Sequence, residues 1–220
     1  MRKQIFLRGL ILLVVAGFWV SPVGAKKHPS VQKILQKFHA RSQSIQTLKA
    51  DFQQTFHWTM VDETQTFTGT LIIGRGDRFR LQTPEQVIVS DGKTLWTYDK
   101  GKNQVLIDDA EHSGDDLLPR KLLLKFEKNY TAVFLREEKV GGIPCYVIEL
   151  TSKTDDTFIP KMTVWIDEKT YVTRRLRYTD VNENVTTYNL RKIKINQPVP
   201  ESVFRYQIPK GVDVIDMRAE

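Results

Sequence analysis

The chain has 220 residues, 40% of them hydrophobic, 10% aromatic and 27% charged, with a net charge of +7. A chain of this size buries roughly 70% of its unfolded surface without staples, and its charges are too balanced in sign for a disordered tail. One cysteine, Cys145, and four scattered histidines exclude an internal disulfide network and a Cys-rich or HExxH zinc site, and no P-loop, GxGxxG or GxSxG signature occurs.

Arg2, Lys3 and Arg8 precede an apolar run from Leu10 to Val20, followed by Ser21-Pro22 and the small residues Val23-Gly24-Ala25. The pattern predicts a secretory signal peptide over residues 1–25, cleaved to leave a single domain over residues 26–220. A core of about 11 apolar residues is short of the ~20 that span a bilayer. No cysteine stands near the cut to carry a lipid anchor. Cleavage removes three positive charges and no negative ones, leaving +4. The expected product is exported and soluble, with a mild bias toward anionic surfaces. Its Lys and Arg are spread out and no nucleic-acid motif occurs, so no nucleic-acid partner is expected.

Ser30 is placed to cap a helix running to about Thr47, with Val31, Ile34, Leu35, Phe38, Ile45 and Leu48 forming one apolar stripe. The period then changes to two. Ala50, Phe52, Gln54, Phe56 and Trp58 point one way along the first strand, and further strands are expected over 66–73, 78–82, 87–90, 93–98 and 104–107, with a hairpin turn at Asp91-Gly92. Ser113-Gly114-Asp115-Asp116 leads into Leu117, Leu118, Leu122, Leu123, Leu124 and Phe126, which read as a short, very apolar helix with Pro119 early in it. Strands resume over 131–137, 145–151, 162–167, 171–179 and 185–193, and Phe204–Ile208 reads as a closing strand. About ten to eleven strands and two helices give a mainly β (α+β) fold: one strongly bent antiparallel sheet, helices over its concave face. The enclosed space is then either packed core or a lipid-sized cavity, and periodicity does not separate the two.

The stretch from Gly69 through Arg75 to Leu81, then Thr83-Pro84, then Val89-Ser-Asp-Gly-Lys-Thr-Leu-Trp-Thr-Tyr98 resembles the outer-membrane lipoprotein carrier protein family, LolA. Leu48–Gln54 is similar to the family's first strand, and Phe204–Val214 to its closing segment. The resemblance spans about Val31 to Asp216. It implies an incomplete β-barrel with helices as a lid over an apolar cavity, and a periplasmic, non-enzymatic carrier. Its implied partners are acylated lipoproteins, an inner-membrane lipoprotein-releasing ABC transporter and an outer-membrane lipoprotein receptor. It implies no cofactor and no metal, and a monomer is expected.

On that resemblance Arg75 matches the family's lid-latch arginine, followed here by Gly76 where the family usually has proline. Leu71, Ile73, Phe79, Leu81, Ile88 and Trp96 are the candidate cavity lining, and they read equally as ordinary core. Leu118, Leu122, Leu123 and Phe126 are the candidate lid helix. Each acyl CH₂ withdrawn from water is worth roughly 0.8 kcal/mol, so acyl chains crossing an aqueous compartment need such a cover. Rival readings are a lipid- or lipoprotein-sensing regulatory protein of the same fold, a carrier of free lipid or glycolipid, and a secreted hydrolase. The hydrolase would use the carboxylates Asp108, Asp109, Glu111, Asp115 and Asp116, which read more simply as a solvated loop with helix-start charges. Cys145, in an apolar strand, reads as a small buried hydrophobe.

Overall fold

A helix, α1 (Val31–Ser44), opens the described chain, its first turn closed by the Ser30 hydroxyl accepting from the Lys33 amide at 3.3 Å. The computed structural model describes residues 29–110, 119–124 and 130–218, so the expected signal peptide and the lid residues Leu118 and Phe126 lie outside the described residues. Helix α1 turns Ile34 and Phe38 fully inward, two of the stripe residues read from the sequence.

Eleven strands follow the helix in chain order before a last short one: β1 (Leu48–Trp58), β2 (Glu63–Ile73), β3 (Phe79–Gln82), β4 (Gln86–Ser90), β5 (Thr94–Asp99), β6 (Gln104–Asp109), β7 (Tyr130–Val140), β8 (Ile143–Ser152), β9 (Lys161–Asp167), β10 (Thr173–Thr179), β11 (Val185–Ile195) and β12 (Asp213–Asp216). Helix α2 (Pro119–Leu124) falls between β6 and β7. All belong to one sheet ordered β12-β6-β5-β4-β3-β2-β1-β11-β10-β9-β8-β7, which β12 and β7 leave open at its two edges. The pairings are antiparallel except that of β12 with β6. Bulges at Lys49/Asp51, Phe134/Arg136 and Thr173/Arg175 help bend it. The mainly β, unclosed barrel expected from the sequence is therefore present, with twelve strands.

One expected strand is not there. Residues 205–208 are irregular, and Glu201–Phe204 is a 3₁₀ turn. Pro200 and Pro209 bracket the segment, and Phe204 drops into a slot against Gly74 rather than into a ladder. The strand forms later, as the four residues of β12.

The core fills the inner face. Leu48, Ala50 and Phe52 of β1, Leu71 and Ile73 of β2, Ile148 and Leu150 of β8, Val164 and Ile166 of β9 and Leu176 of β10 pack with Ile34, Phe38 and the leucines of α2. The outer face of β4 and β6 is also buried, through Val87, Val89, Val105 and Ile107. Residues 198–212 return along this side: Phe204 is buried, and the rings of Tyr98 and Tyr206 lie 6.1 Å apart.

Gly69 marks the tightest crossing on the inner face. A Cβ there would stand 2.1 Å from the Gln82 carbonyl oxygen and 2.9 Å from the Phe52 ring. Gly69→Ala is expected to lower stability by about 2 kcal/mol through forced displacement of β3. The urea midpoint measures this, and an unchanged midpoint would mean the β2–β3 pair yields without strain.

Candidate functional site

Where β2 to β5 curve away from the packed half of the core, the described residues leave the inner face unfilled. A cavity of about 470 Å³ opens there. Its apolar wall is Phe67, Phe79, Leu81, Ile88, Leu95 and Tyr188, and Pro119 of α2 stands at its edge. Gln54, Thr83, Glu85, Gln86 and Thr97 make the polar part of the lining. Register explains the alignment: Leu71, Leu81, Ile88 and Thr97 are cross-strand neighbours on one face of four successive strands. A narrower pocket lies alongside between Phe52, Leu71, Leu81, Leu122, Leu123 and Tyr188, under α2.

Three of the six lining residues expected from the sequence, Phe79, Leu81 and Ile88, border the main cavity. Leu71 borders the narrower pocket, and Ile73 is fully buried core. Trp96 is the correction. It pairs with Val89 and Ile107, while its neighbours Leu95 and Thr97 take the cavity face, so its indole lies on the outer face. Both faces of this part of the sheet are apolar, which hid the direction of the tryptophan. Leu122 and Leu123, candidate lid residues, lie in α2 packed against the core.

Helix α2 is held near both ends. At its last turn the Leu123 carbonyl accepts from the buried Thr173 hydroxyl at 2.7 Å. At its first turn Arg120 donates to two backbone carbonyls, that of Gly74 at 2.9 Å and that of Ile45 at 3.2 Å. Gly74 follows β2 and Ile45 is the C-cap of α1, so one guanidinium ties three elements together. Burial pushes the Arg120 pKa below its ordinary value, with Asp77 opposing and Arg75 adding to the effect. Guanidinium remains charged throughout the physiological range.

Arg75 sits differently. It is exposed in the turn after β2, makes no side-chain hydrogen bond or ion pair among the described residues, and borders an outer pocket. Its carbonyl accepts from Arg78 Nε at 2.8 Å. Gly76 beside it has φ +64°, a conformation closed to the proline expected from the family pattern. Arg120 sits in a leucine-rich run, where local pattern does not mark it as a tether. The available signal was an arginine in the first turn of an otherwise apolar helix.

Asp108 and Asp109 end β6, and the other carboxylates of that cluster lie outside the described residues. Among the described residues no group of His, Cys, Asp and Glu is placed to hold a metal ion. Cys145 is fully buried, and burial with the nearby Asp167 charge pushes its thiol up to about 11, as suits a packed hydrophobe. Among the same residues no helix is long and apolar enough to cross a membrane.

The family model of the outer membrane lipoprotein carrier protein LolA matches residues 43–207. An outer-membrane lipoprotein carrier protein of Pasteurella multocida is 31% identical, over 81% of this chain and 84% of its own length. One from Azotobacter vinelandii is 27% identical over 94% and 97%. An uncharacterised protein of Methanocaldococcus jannaschii is 23% identical over 96% of this chain, which spans 60% of that protein's length. Among solved structures, an uncharacterised conserved protein from Thermus thermophilus superposes with a TM-score of 0.56 at 16% identity, covering 86% of this chain and 99% of that one.

Proposed function

The chain belongs to the LolA family of outer membrane lipoprotein carrier proteins, and from that premise we propose that it sequesters the acyl chains of lipoproteins and carries them through the periplasm from the inner to the outer membrane. The observation that carries this reading is the unfilled apolar cavity with α2 at its edge. A carrier needs a site that binds by area rather than by directed bonds, because its cargo shares only its lipid. It also needs a cover that comes off, and α2 suits that task. Thr173 anchors its last turn, while its first turn hangs on Arg120 alone among the described polar contacts. Release of that guanidinium lets α2 pivot about its Thr173 end and join the two pockets.

Capacity bears on the cargo. The cavity of about 470 Å³ equals about sixteen water volumes, and a methylene fills nearly the same space as a water. That is the space of about one acyl chain. A single-chain free lipid fits that space as it stands, which favours free-lipid carriage as the second reading.

The test is a release assay with the purified protein and spheroplasts making a labelled triacylated lipoprotein. Label is expected in the supernatant as a one-to-one complex. Label that stays on the membrane, with a compatible transporter present, would overturn lipoprotein carriage. Binding of a fluorescent fatty acid under those conditions would then favour free-lipid carriage.

A further inference from the structure

The two carbonyls that Arg120 grips both sit in loops held from the outside by one segment, residues 196–204. On one side, Asn196 binds the loop that carries Ile45. Its Oδ1 accepts from the Gln46 amide at 2.8 Å, its Nδ2 donates to the Ser44 carbonyl at 3.1 Å, and Gln197 accepts from the Thr47 hydroxyl at 2.7 Å. On the other side, Phe204 lies against Gly74. Its ring would come within 2.8 Å of a Cβ at that position, so only glycine leaves room for it. Arg78 completes this clamp by stacking over the Phe204 ring at 5.3 Å, pairing with Glu201, and bonding the Arg75 carbonyl. The Gly74 amide donates to the Arg78 carbonyl at 2.7 Å, so the turn, the strap and the lid contact share one residue.

Between these two clamps lies an outer pocket of about 410 Å³. Among the described residues Arg75 borders it without a side-chain partner, and Arg78 enters it paired with Glu201 alone, whose side chain is 70% exposed. Gln46 and Gln197 add side-chain amides that suit a polypeptide backbone. None of the large exposed apolar side chains lines it, which disfavours insertion into a bilayer.

We infer that segment 196–204 is the release trigger of the lid, and that the pocket it forms with Arg75 and Arg78 docks an acidic loop of a partner protein. This rests on α2 being the lid of a carrier. A carboxylate from the partner pairs with Arg75 and takes Arg78 from Glu201. Freed from Arg78, Glu201 draws the segment away, Phe204 leaves Gly74, the turn relaxes, and Arg120 loses its better acceptor. Arrival of the partner is thereby converted into opening of the cavity on the opposite face of the sheet, with no contact between partner and cargo required.

The test uses the purified protein, a neutral apolar dye that brightens in the cavity, and a synthetic Asp-Gly repeat peptide as the acidic probe. Saturating peptide is expected to speed dye uptake about tenfold, the equivalent of one charge-assisted hydrogen bond lost from the closed state. Arg75→Glu is expected to abolish that acceleration. Glu201→Gln, at an exposed site that leaves folding intact, is expected to speed uptake several-fold without peptide, and Phe204→Ala more so if it folds. Peptide that binds without changing uptake would overturn the inference, as would phosphatidylglycerol vesicles binding through Arg75 in place of the peptide. Arg120→Leu separates the two levels. If it speeds uptake and the strap variants do not, only the trigger fails. If it too is silent, α2 is not the lid and the carrier reading loses its gate.

Discussion

Arg120→Leu is expected to admit the apolar dye about thirtyfold faster than the unaltered protein. Each charge-assisted hydrogen bond contributes about 1.5 kcal/mol, discounted to about 2 kcal/mol for the pair because the guanidinium is half-buried and water replaces part of the loss. Every 1.4 kcal/mol is tenfold in the open-to-closed ratio. Leucine matches the apolar surroundings of α2, so the fold itself should hold, and the Thr173 bond to Leu123 stays in place. Arg120→Lys should fall between, since one ammonium does not span both carbonyls. In the lipoprotein release assay the leucine variant should load and then lose cargo early. Dye uptake and release kinetics indistinguishable from the parent would sink the latch.

Asp167→Asn should cost about 3 kcal/mol of stability at neutral pH, because it strands a buried cation. Asp167 is 3% exposed at the end of β9. One carboxylate oxygen accepts from the amides of Lys169 and Thr170 at 2.9 and 3.0 Å, and the other takes both Arg174 Nε and Nη2 at 3.0 and 2.7 Å. Burial alone would raise the carboxyl pKa. The Thr170 amide, the Arg174 guanidinium and the Lys169 amide outweigh it and hold the group below its ordinary value. A carboxyl depressed in the folded state adds stability above its unfolded pKa, near 3.9, and loses it as pH falls through the lower folded value. The parent should therefore weaken below about pH 4, and the asparagine variant should lack this part of the acid slope. Urea midpoints at pH 7 and pH 3 measure both effects, and a melting shift of about 9 °C accompanies the loss at neutral pH. The site matters beyond β9 because the turn it closes sets Tyr171, at φ +52°, against Lys37 of α1.

Where a single face of an element is buried, its direction was readable from residue order. The α1 stripe, the Ser30 cap and the alternation of Ala50, Phe52 and Gln54 all belong to this class. Trp96 did not, because the sheet around it is apolar on both faces, one lining the cavity and the other under the returning chain, and alternation loses its meaning there. Phe204 alternates like a strand residue. Its fate was decided by the space above Gly74, a tertiary fact. Strand β12 is four residues paired in parallel with a partner more than a hundred positions away, and no local pattern announces such a contact. Arg120 carries the sharpest lesson. Its acceptors are backbone carbonyls, which have no residue type and leave no mark in the sequence.

The open seam between β7 and β12 sets the mechanics of the vessel. A closed barrel has its girth fixed by strand number and stagger, so its bore changes only by breaking ladder bonds. Here the wall is a bowed spring with two free ends. Twist can be redistributed among its strands while the ladder stays intact, and the bore can widen as α2 lifts. A wall of this kind takes up contents of different girth by elastic bending rather than by ruptured pairing.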